Sequence, residues 1–428
     1  MRNMIKKLLV LLIFNTLLIC AQSKPVAFIN GTAHIGNGKV LTSAIVVIRG
    51  QKIEMVEDIR GMKLDYKSFD TVIDLAGKHI YPGLINTNNV LGLHDAEAVR
   101  ATVDFVEVGA LNSHVRSLIA YNTDNIIIPT VRTNGVLYTQ VTPRGNLISG
   151  SSSVMALDGW NWEDAVLLAD DGIHVNFPRH PSYRYEEERR NKEMQKHYEE
   201  EVLRLSRFFT DAAAYLKQKN AAEKNIRFEA MRAVLTGKSN LYLHADRAAD
   251  IQAALNFAEE KQITKPVLVG GRDAWQLTTL LKKRNVPVML NRVFDLPDRQ
   301  DEDIDLLYRV PYLLQKDSVL FCLQLEGDME AMHSRNLPFN AGATVAYGLD
   351  KEQALAAISL NAAKILGLAD RIGSLEAGKM ASFVISSGDL LDMRSSLVEA
   401  VYIAGKKIDL NNHQSDLYNK YKLKYGSK

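Results

Sequence analysis

Apolar runs typical of strands alternate with helical patterns through most of this 428-residue chain, and this alternation limits the fold more than any other feature. The strand candidates are residues 84–85, 125–129, 135–141, 241–244, 266–269, 287–290 and 318–323. Helical patterns separate most of them, for example at residues 248–260, 275–283 and 351–366. So long an alternation predicts an α/β fold, with a parallel (β/α)8 barrel of the TIM type.

Both ends of the chain have a different pattern, in which short β-rich runs are separated by glycine turns. One such run is 44–48, followed by a glycine turn, and another is 398–403. Neither end is long enough to bury two faces alone, so we expect the two ends to pair in one small composite β-sandwich. The predicted domains are a signal peptide at 1–23, the composite β-sandwich at 24–80 plus 368–410, the barrel at 81–367 with a helical insertion at about 183–235, and a polar surface tail at 411–428.

The first residues are typical of an export signal. Basic Arg2, Lys6 and Lys7 precede an apolar run at 8–20, and small residues suited to cleavage follow at 21–23. The run is short for a membrane span, so we expect an exported protein, periplasmic or secreted, with no membrane span once the signal is removed. A lipoprotein attached through Cys20 is the alternative.

The overall charge argues against nucleic acid as a partner. Lys and Arg total 52 against 50 Asp and Glu, a net charge of +2, and part of that excess lies in the predicted signal. The chain is 46% hydrophobic, an ordinary value for a globular protein. We expect a small-molecule ligand at the barrel mouth, and either a homo-oligomer or a related barrel protein as a macromolecular partner.

Five sequence blocks carry a family signal. They are Tyr-Pro-Gly-Leu-Ile at 81–85, Leu-Tyr-Leu-His-Ala at 241–245, Tyr-Gly-Leu-Asp-Lys-Glu-Gln-Ala-Leu at 347–355, Asn-Ala-Ala-Lys-Ile-Leu-Gly at 361–367 and Gly-Ser-Leu-Glu-Ala-Gly-Lys at 373–379. Together they resemble the amidohydrolase superfamily, and in particular its imidazolonepropionase-like branch. The resemblance implies a barrel whose strand ends hold one or two divalent metals. It also implies hydrolysis of non-peptide carbon–nitrogen bonds, such as those of cyclic amides, by a metal-activated water.

The chain departs from that family pattern at most of the implied metal ligands. The first-strand histidines would fall near Asn88 and Val90, the sixth-strand histidine near 270–271, and the catalytic aspartate near Gln324. Only His244 keeps its position. One imidazole does not hold a catalytic zinc, and an amide does not carry protons as a carboxylate does. We therefore expect no cofactor, or a divalent metal such as zinc only where other residues rebuild the site.

Other residues could contribute to such a site. His94 and His114 lie beyond the first barrel strand and could join His244, or they could be ordinary loop histidines. Arg144 lies in a glycine- and hydroxyl-rich segment, predicted to be either an anion-binding loop or a plain barrel loop. The candidate pocket residues are His244, Asp246, Arg247, His94, His114, Asn88, Gln324 and Arg144. We interpret His174 and His180 as surface residues.

Three functions remain open from the sequence. The first is a pseudoenzyme or ligand-binding protein that keeps the barrel but has a degenerate metal centre. The second is an active carbon–nitrogen hydrolase with a rearranged site around His244. The third is a structural partner of a metal-competent relative.

Overall fold

The computed structural model describes residues 24–96, 98–181, 188–218 and 223–426. The predicted signal peptide, with Cys20, lies outside the described residues. In chain order the strands are β1 (Val26–His34), β2 (Val40–Arg49), β3 (Lys52–Asp58), β4 (Thr71–Asp74), β5 (His79–Pro82), β6 (Leu84–Asn89), β7 (Val136–Val141), β8 (Ile148–Ala156), β9 (Val166–Asn176), β10 (Asn240–Ala245), β11 (Pro266–Gly270), β12 (Val288–Leu290), β13 (Phe321–Leu323), β14 (Phe383–Ser386), β15 (Val398–Ile403) and β16 (Lys406–Ile408).

The α-helices lie mainly between and after the strands of the second sheet. They are α1 (Ile127–Arg132), α2 (Trp162–Ala165), α3 (Glu188–Lys217), α4 (Ile226–Ala230), α5 (Arg232–Leu235), α6 (Ala248–Glu260), α7 (Thr278–Lys283), α8 (Leu306–Lys316), α9 (Glu330–His333), α10 (Leu337–Val345), α11 (Lys351–Ala357), α12 (Leu360–Ile365) and α13 (His413–Tyr425). Short 3₁₀ turns occur at Tyr66–Ser68, Arg100–Thr102, Ser117–Ala120, Ala274–Leu277 and Ser334–Asn336.

Strands from both chain ends form one eight-stranded sheet. Its order is β16-β15-β14-β5-β1-β2-β3, and β4 pairs with β1. The two ends meet where β5 runs antiparallel to β14. The rings of Phe28, Phe383 and Tyr402 pack together beside this junction, with centroids 4.7 to 5.3 Å apart. The description of this composite sheet as a β-sandwich stays a prediction.

A second eight-stranded sheet, with the order β13-β12-β11-β10-β9-β8-β7-β6, forms a nearly closed TIM-like barrel. Its two edges approach each other where Thr87 pairs with Gln324 in a parallel bridge. The barrel departs from the expected all-parallel form in one strand, because β8 runs antiparallel to both β7 and β9. The other neighbouring pairs are parallel.

Two barrel strands, β8 and β9, were not among the predicted strands. The sequence of β8 is rich in serine and glycine, which are weak strand formers, so its pattern predicted a loop. All its residues up to Met155 are buried, and a Cβ on Gly150 would lie 2.5 Å from the carbonyl oxygen of Val115. Small side chains are therefore needed where this strand packs closely against the segment that connects β6 to α1.

The predicted strand at 125–129 is wrong, because this segment forms α1. Its buried residues Ile127, Ile128 and Val131 lie on one face of a helical turn, whereas Ile126 is exposed. A short apolar run fits either a strand or a buried helix, and its periodicity does not distinguish them. The C-terminal tail also contains a helix, α13, which begins with a capping box between Asn412 and Ser415.

The long helix expected in the insertion is α3, whose buried residues Leu205, Phe209 and Ala212 face the barrel core. Its outer face carries ion pairs one turn apart, such as Lys196 with Glu200. Throughout the described part of the chain, every helix is too short or too polar to cross a bilayer.

Candidate functional site

The carboxyl ends of the barrel strands bring together the positions singled out in the sequence. Asn88 is the second-last residue of β6, and Gln324 follows β13 directly. His244 in β10 pairs with Val269, one residue before Gly270. In a barrel of this type the carboxyl ends of the strands form the usual place for a ligand. Asn88, His244, Gly270 and Gln324 therefore lie at the barrel mouth, where the sequence resemblance predicted them.

A buried arginine occupies the centre of this mouth. The Arg144 guanidinium donates one hydrogen bond to Asn88 Oδ1 at 2.8 Å and another to the Asn88 carbonyl oxygen at 2.9 Å. It also donates to both carboxylate oxygens of Glu330, at 2.8 and 3.0 Å. Burial disfavours its charge, but the Glu330 and Glu326 carboxylates outweigh burial and raise the pKa of Arg144. This segment thus places a permanent cation at the mouth.

Asn88 makes this contact from an unusual backbone conformation. Its φ of 49° lies in the left-handed region, which asparagine tolerates better than most residues. Its backbone N–H donates to Gln140 Oε1 at 3.0 Å, and its side-chain amide donates to Glu326 Oε2 at 2.7 Å. All the polar groups of Asn88 that could serve a ligand are therefore already bonded within the protein.

Glu326 links the arginine side of the mouth to His244. Its Oε2 lies 3.8 Å from His244 Nδ1, and its backbone N–H donates to Gln324 Oε1 at 2.7 Å. Burial is the largest single effect on the pKa of Glu326 and would raise it, but Arg144, His244 and the Asn88 hydrogen bond act with smaller effects against it, and the net pKa lies below the usual value. Glu326 is therefore an anion at neutral pH.

His244 is joined to a chain of buried polar side chains that runs into the barrel. Its Nε2 lies 2.9 Å from His174 Nδ1, and His174 Nε2 lies 2.8 Å from Ser152 Oγ. Ser152 in turn donates to Asp171 Oδ1 at 2.7 Å. Burial lowers the pKa of His244 to about 4 and places the pKa of His174 well below its usual value. Both imidazoles are therefore neutral at neutral pH.

Asp171 ends this chain and is enclosed by donors. Tyr242 and Gln140 donate to its Oδ2, and Ser152 donates to its Oδ1. Burial raises the pKa of Asp171 to about 6, although these three hydrogen bonds oppose the increase. The carboxyl group is therefore ionised at neutral pH and becomes protonated in mild acid.

Asp246 and Arg247 lie just beyond β10. Asp246 accepts a hydrogen bond from the Arg272 backbone at 3.4 Å, and burial raises its pKa. A Cβ on Gly270 would lie 2.5 Å from Asp246 Oδ1, so glycine leaves room for this carboxyl group. Asp246 and Gly270 line a small cavity of about 110 Å³. Arg247 is exposed at the start of α6, outside this cavity.

The two loop histidines lie in different surroundings. His94 is buried, its ring meets Phe105 edge-on with centroids 5.5 Å apart, and its carbonyl oxygen accepts from Asn125. His114 lines a groove of about 830 Å³ together with Gly172 and Lys238. Gly172 pairs with Asn240, the first residue of β10, so this groove lies at the strand end opposite His244. The structure therefore places His114 apart from His244.

The interpretation of His174 and His180 as surface residues is wrong for His174. His174 belongs to β9 and is completely buried, with its ring stacked on that of Tyr242. The only local sequence signal is that His174 stands between Ile173 and Val175, two β-branched residues that are common in strands. His180 is partly exposed and contacts Asp250 at 2.6 Å.

Sequence reasoning missed most of the charged partners. Glu326, Glu330 and Asp171 were not among the candidates, although each holds a candidate residue or its neighbour in place. Glu326 and Glu330 follow the last barrel strand by a few residues, so a search of all segments after strand ends would have included them. Ser152 and Asp171 had no such signal, because β8 and β9 were not predicted.

Comparison with known proteins agrees with the barrel fold. The profile of the amidohydrolase family matches residues 321–408. An amidohydrolase structure from Thermotoga maritima is 26% identical, with a TM-score of 0.78, over 90% of this chain and 99% of the other. The chain belongs to the amidohydrolase superfamily.

Curated relatives place the chain in the imidazolonepropionase-like branch of the superfamily. An imidazolonepropionase of Erwinia tasmaniensis is 33% identical over 147 residues, which is 34% of each chain. One of Shewanella oneidensis is 40% identical over 96 residues, or 21% of each chain. The matches thus span about a third or less of these relatives. A Xaa-Pro dipeptidase structure, 13% identical with a TM-score of 0.52 over 90% of this chain, shares the fold.

The divalent metal typical of the superfamily does not fit the residues at this mouth. Val90 and Gly270 offer no side-chain donor, and the Asn88 side-chain oxygen is occupied by the Arg144 guanidinium. Within residues 24–96, 98–181, 188–218 and 223–426, no group of three His, Cys, Asp or Glu side chains is arranged to hold a metal ion. A stable site normally needs three or four such ligands.

Proposed function

We propose that this protein is a ligand-binding member of the amidohydrolase superfamily that works without a divalent metal. Its relatives are nominally hydrolases of non-peptide carbon–nitrogen bonds, and this chain would bind a small molecule of related chemistry without efficient hydrolysis. The ligand would lie at the carboxyl end of the barrel, near His244 and Glu326. This places the protein among pseudoenzymes.

One observation carries this proposal: the Arg144 guanidinium is bonded to Asn88 and Glu330 inside the mouth. A divalent metal activates a water by lowering its pKa, and this requires direct coordination of the water. A guanidinium stays protonated and offers only hydrogen-bond donors, so it cannot generate hydroxide in that way. It can, however, balance carboxylate charge and keep a binding site ordered.

A second candidate function is an active hydrolase with a rearranged site. It is favoured by the geometry of His244, whose ring is held by His174 on one side and faces Glu326 on the other. An imidazole oriented by a chain of partners and facing the mouth is an arrangement that general-base catalysis uses. The low pKa of His244, about 4, makes it a weak base and favours the binding function.

The remaining parts of the proposal come from the sequence. We infer that residues 1–23 direct export, so that the mature chain works in the periplasm or outside the cell. The composite β-sandwich at 24–80 plus 368–410 would support the barrel at 81–367. Self-association, or association with a related barrel protein, would be its macromolecular interaction.

Metal analysis combined with activity assays tests the proposed function. The protein would be produced in medium supplemented with zinc, manganese and iron, purified without chelators, and measured by elemental mass spectrometry. We expect well under one equivalent of metal and no turnover of a panel of cyclic amides and dipeptides. A full equivalent of one metal, with turnover that disappears after chelation and returns on reloading, would overturn the proposal.

A variant distinguishes the second candidate from the first. If a substrate is turned over without metal, Glu326→Gln and His244→Gln should each lower kcat strongly in the rearranged hydrolase. The matched control is Glu163→Gln, a change at an exposed residue in the first turn of α2. Turnover that survives both site variants would assign the activity to a contaminant.

A further inference from the structure

The hydrogen-bond partners of Ser152 determine where the hydrogens lie in the buried chain from Asp171 to His244. Ser152 Oγ contacts Asp171 Oδ1 at 2.7 Å, His174 Nε2 at 2.8 Å and Gln140 Nε2 at 3.2 Å. A hydroxyl has one hydrogen to donate and two lone pairs to accept. The carboxylate supplies no hydrogen, so Ser152 donates to Asp171 and accepts from the other two. His174 Nε2 therefore carries a hydrogen.

The hydrogen on His174 Nε2 also determines which nitrogen of His244 carries a hydrogen at the mouth. A neutral imidazole has one N–H and one lone pair, so His174 Nδ1 is an acceptor. Its partner, His244 Nε2, lies 2.9 Å away and must donate to it. His244 Nδ1 is then left with a lone pair. Glu326 Oε2 lies 3.8 Å from this nitrogen, so two hydrogen-bond acceptors lie close to each other.

Glu326 Oε2 already accepts a hydrogen bond from the Asn88 amide at 2.7 Å, and its second lone pair and the His244 Nδ1 lone pair can both accept from a ligand. The 3.8 Å separation is too long for a direct hydrogen bond, and neither atom brings a hydrogen. Two such acceptors repel each other unless a group with several hydrogens lies beside both. Both side chains can be reached from solvent, because 14% of the His244 side chain and 31% of the Glu326 side chain are exposed.

We propose that His244 Nδ1 and the Glu326 carboxylate form an acceptor pair that binds a primary ammonium group of the ligand. This rests on the proposed function, since it assumes that the mouth binds a small molecule. The His244 tautomer is set by three positioning residues, His174, Ser152 and Asp171.

Charge complementarity favours an ammonium over a neutral amide. Glu326 is an anion beside His244, and the Arg144 charge that also acts on it is shared with Glu330. Asp246 adds a further carboxyl group nearby, whose pKa is raised by burial and also by the Glu326 charge. An ammonium has three hydrogens, enough to bond His244, Glu326 and one more acceptor. Hydrogen bonds between charged groups are also the stronger ones.

Nitrogen NMR of histidine-labelled protein tests the inference directly. The His244 resonances would be assigned with His244→Gln. We expect Nδ1 to be unprotonated and Nε2 to carry the hydrogen at neutral pH, and Nδ1 to shift when methylammonium chloride is added. Tetramethylammonium chloride, which has the same charge but no N–H, should cause no such shift. A hydrogen on Nδ1 in the free protein, or equal responses to the two cations, would overturn the inference.

Substitutions provide a second readout. Glu326→Gln should weaken methylammonium binding about tenfold, the size expected for the loss of one charged hydrogen bond. Glu163→Gln is the matched control and should bind as the wild type does. Ser152→Ala removes the hydroxyl that accepts the His174 Nε2 hydrogen, so His244 should also populate the tautomer with its hydrogen on Nδ1. If Ser152 had only a structural role, the His244 tautomer would not change. Unchanged affinity in a folded Glu326→Gln variant contradicts the acceptor pair, and the wild-type tautomer measurement decides the matter if that variant does not fold.

The two proposals fail in different ways. A full equivalent of bound metal would overturn the proposed function, and it is measured without reference to amines. The opposite tautomer, or the absence of a specific methylammonium response in metal-free protein, would overturn only the acceptor pair. Metal-free protein that ignores methylammonium would still be a candidate binder of another ligand.

Discussion

The Arg144 guanidinium and the Asn88 side-chain oxygen lie 2.8 Å apart, although 56 residues separate them in the chain. This contact joins the loop after β7 to the end of β6, and Glu330, from the segment after β13, completes it. It therefore holds three neighbouring segments together at the barrel mouth. A fixed cation bonded to an amide and a carboxylate stabilises the strand ends.

Removal of Arg144 should destabilise the protein strongly. In Arg144→Met the carboxylate of Glu330, of which only 7% is exposed, loses its partner. Breaking a buried ion pair from one side costs about 3–5 kcal/mol. The double variant Arg144→Met with Glu330→Gln should recover part of this loss, since no unpaired charge remains. Urea unfolding measures both, and a single variant as stable as the wild type would show that the pair is not important for folding.

Asp171 should make the protein less stable as the pH rises through mild acid. Its pKa is about 6 in the folded protein against 3.8 for the free side chain, so the folded state binds a proton more tightly than the unfolded state. The contribution of this group to stability is therefore greatest below about pH 4 and falls, by about 3 kcal/mol at most, as the pH rises through about 6. This direction is opposite to that of a carboxylate in an ion pair.

Asp171→Asn tests that pH dependence, because an amide does not titrate. The unfolding free energy would be measured between about pH 4 and pH 7 in both proteins. We expect the difference between wild type and variant to change across this interval, with the wild type losing more stability towards neutral pH. A constant difference would mean that Asp171 has the same pKa in the folded and unfolded states.

His244→Ala should leave the fold nearly intact and remove ligand binding. The variant leaves His174 Nδ1 without its donor, at a cost of about 1–3 kcal/mol. His244→Gln offers a side-chain amide to the same partner and should be closer to the wild type in thermal unfolding, while methylammonium binding is weakened in both. A much larger loss of stability in His244→Ala would identify His244 as a packing residue of the core.

Gly150→Ala should destabilise β8. Gly150 has a φ of +135°, and an added Cβ would lie 2.5 Å from the Val115 carbonyl oxygen. Strained backbone of this kind costs about 1–3 kcal/mol, before any steric clash. The matched control is Gly145→Ala in the preceding loop, where an added Cβ would meet its nearest atom at 3.5 Å. Thermal unfolding compares the two, and equal melting temperatures would contradict the tight packing of β8.

The sequence allowed much of the fold to be predicted, because periodicity reports which faces are buried. The helix at 248–260 and the strands near 241–244 and 266–269 have the predicted type and almost the predicted ends. The failures are also physical. β8 and β9 have sequences that are atypical of strands, and their stability comes from neighbours on both sides of each. The run in α1 was too short for its period to be recognised.

What the sequence by itself determined is the chemical identity of each strand end. An amide at Asn88, an imidazole at His244, no side chain at Gly270 and an amide at Gln324 follow from the sequence and its alignment with the barrel pattern. Only the tertiary structure decided which groups meet there. Arg144, His174 and Glu330 come from separate segments, and closure of the barrel brings them together at distances that no local pattern encodes.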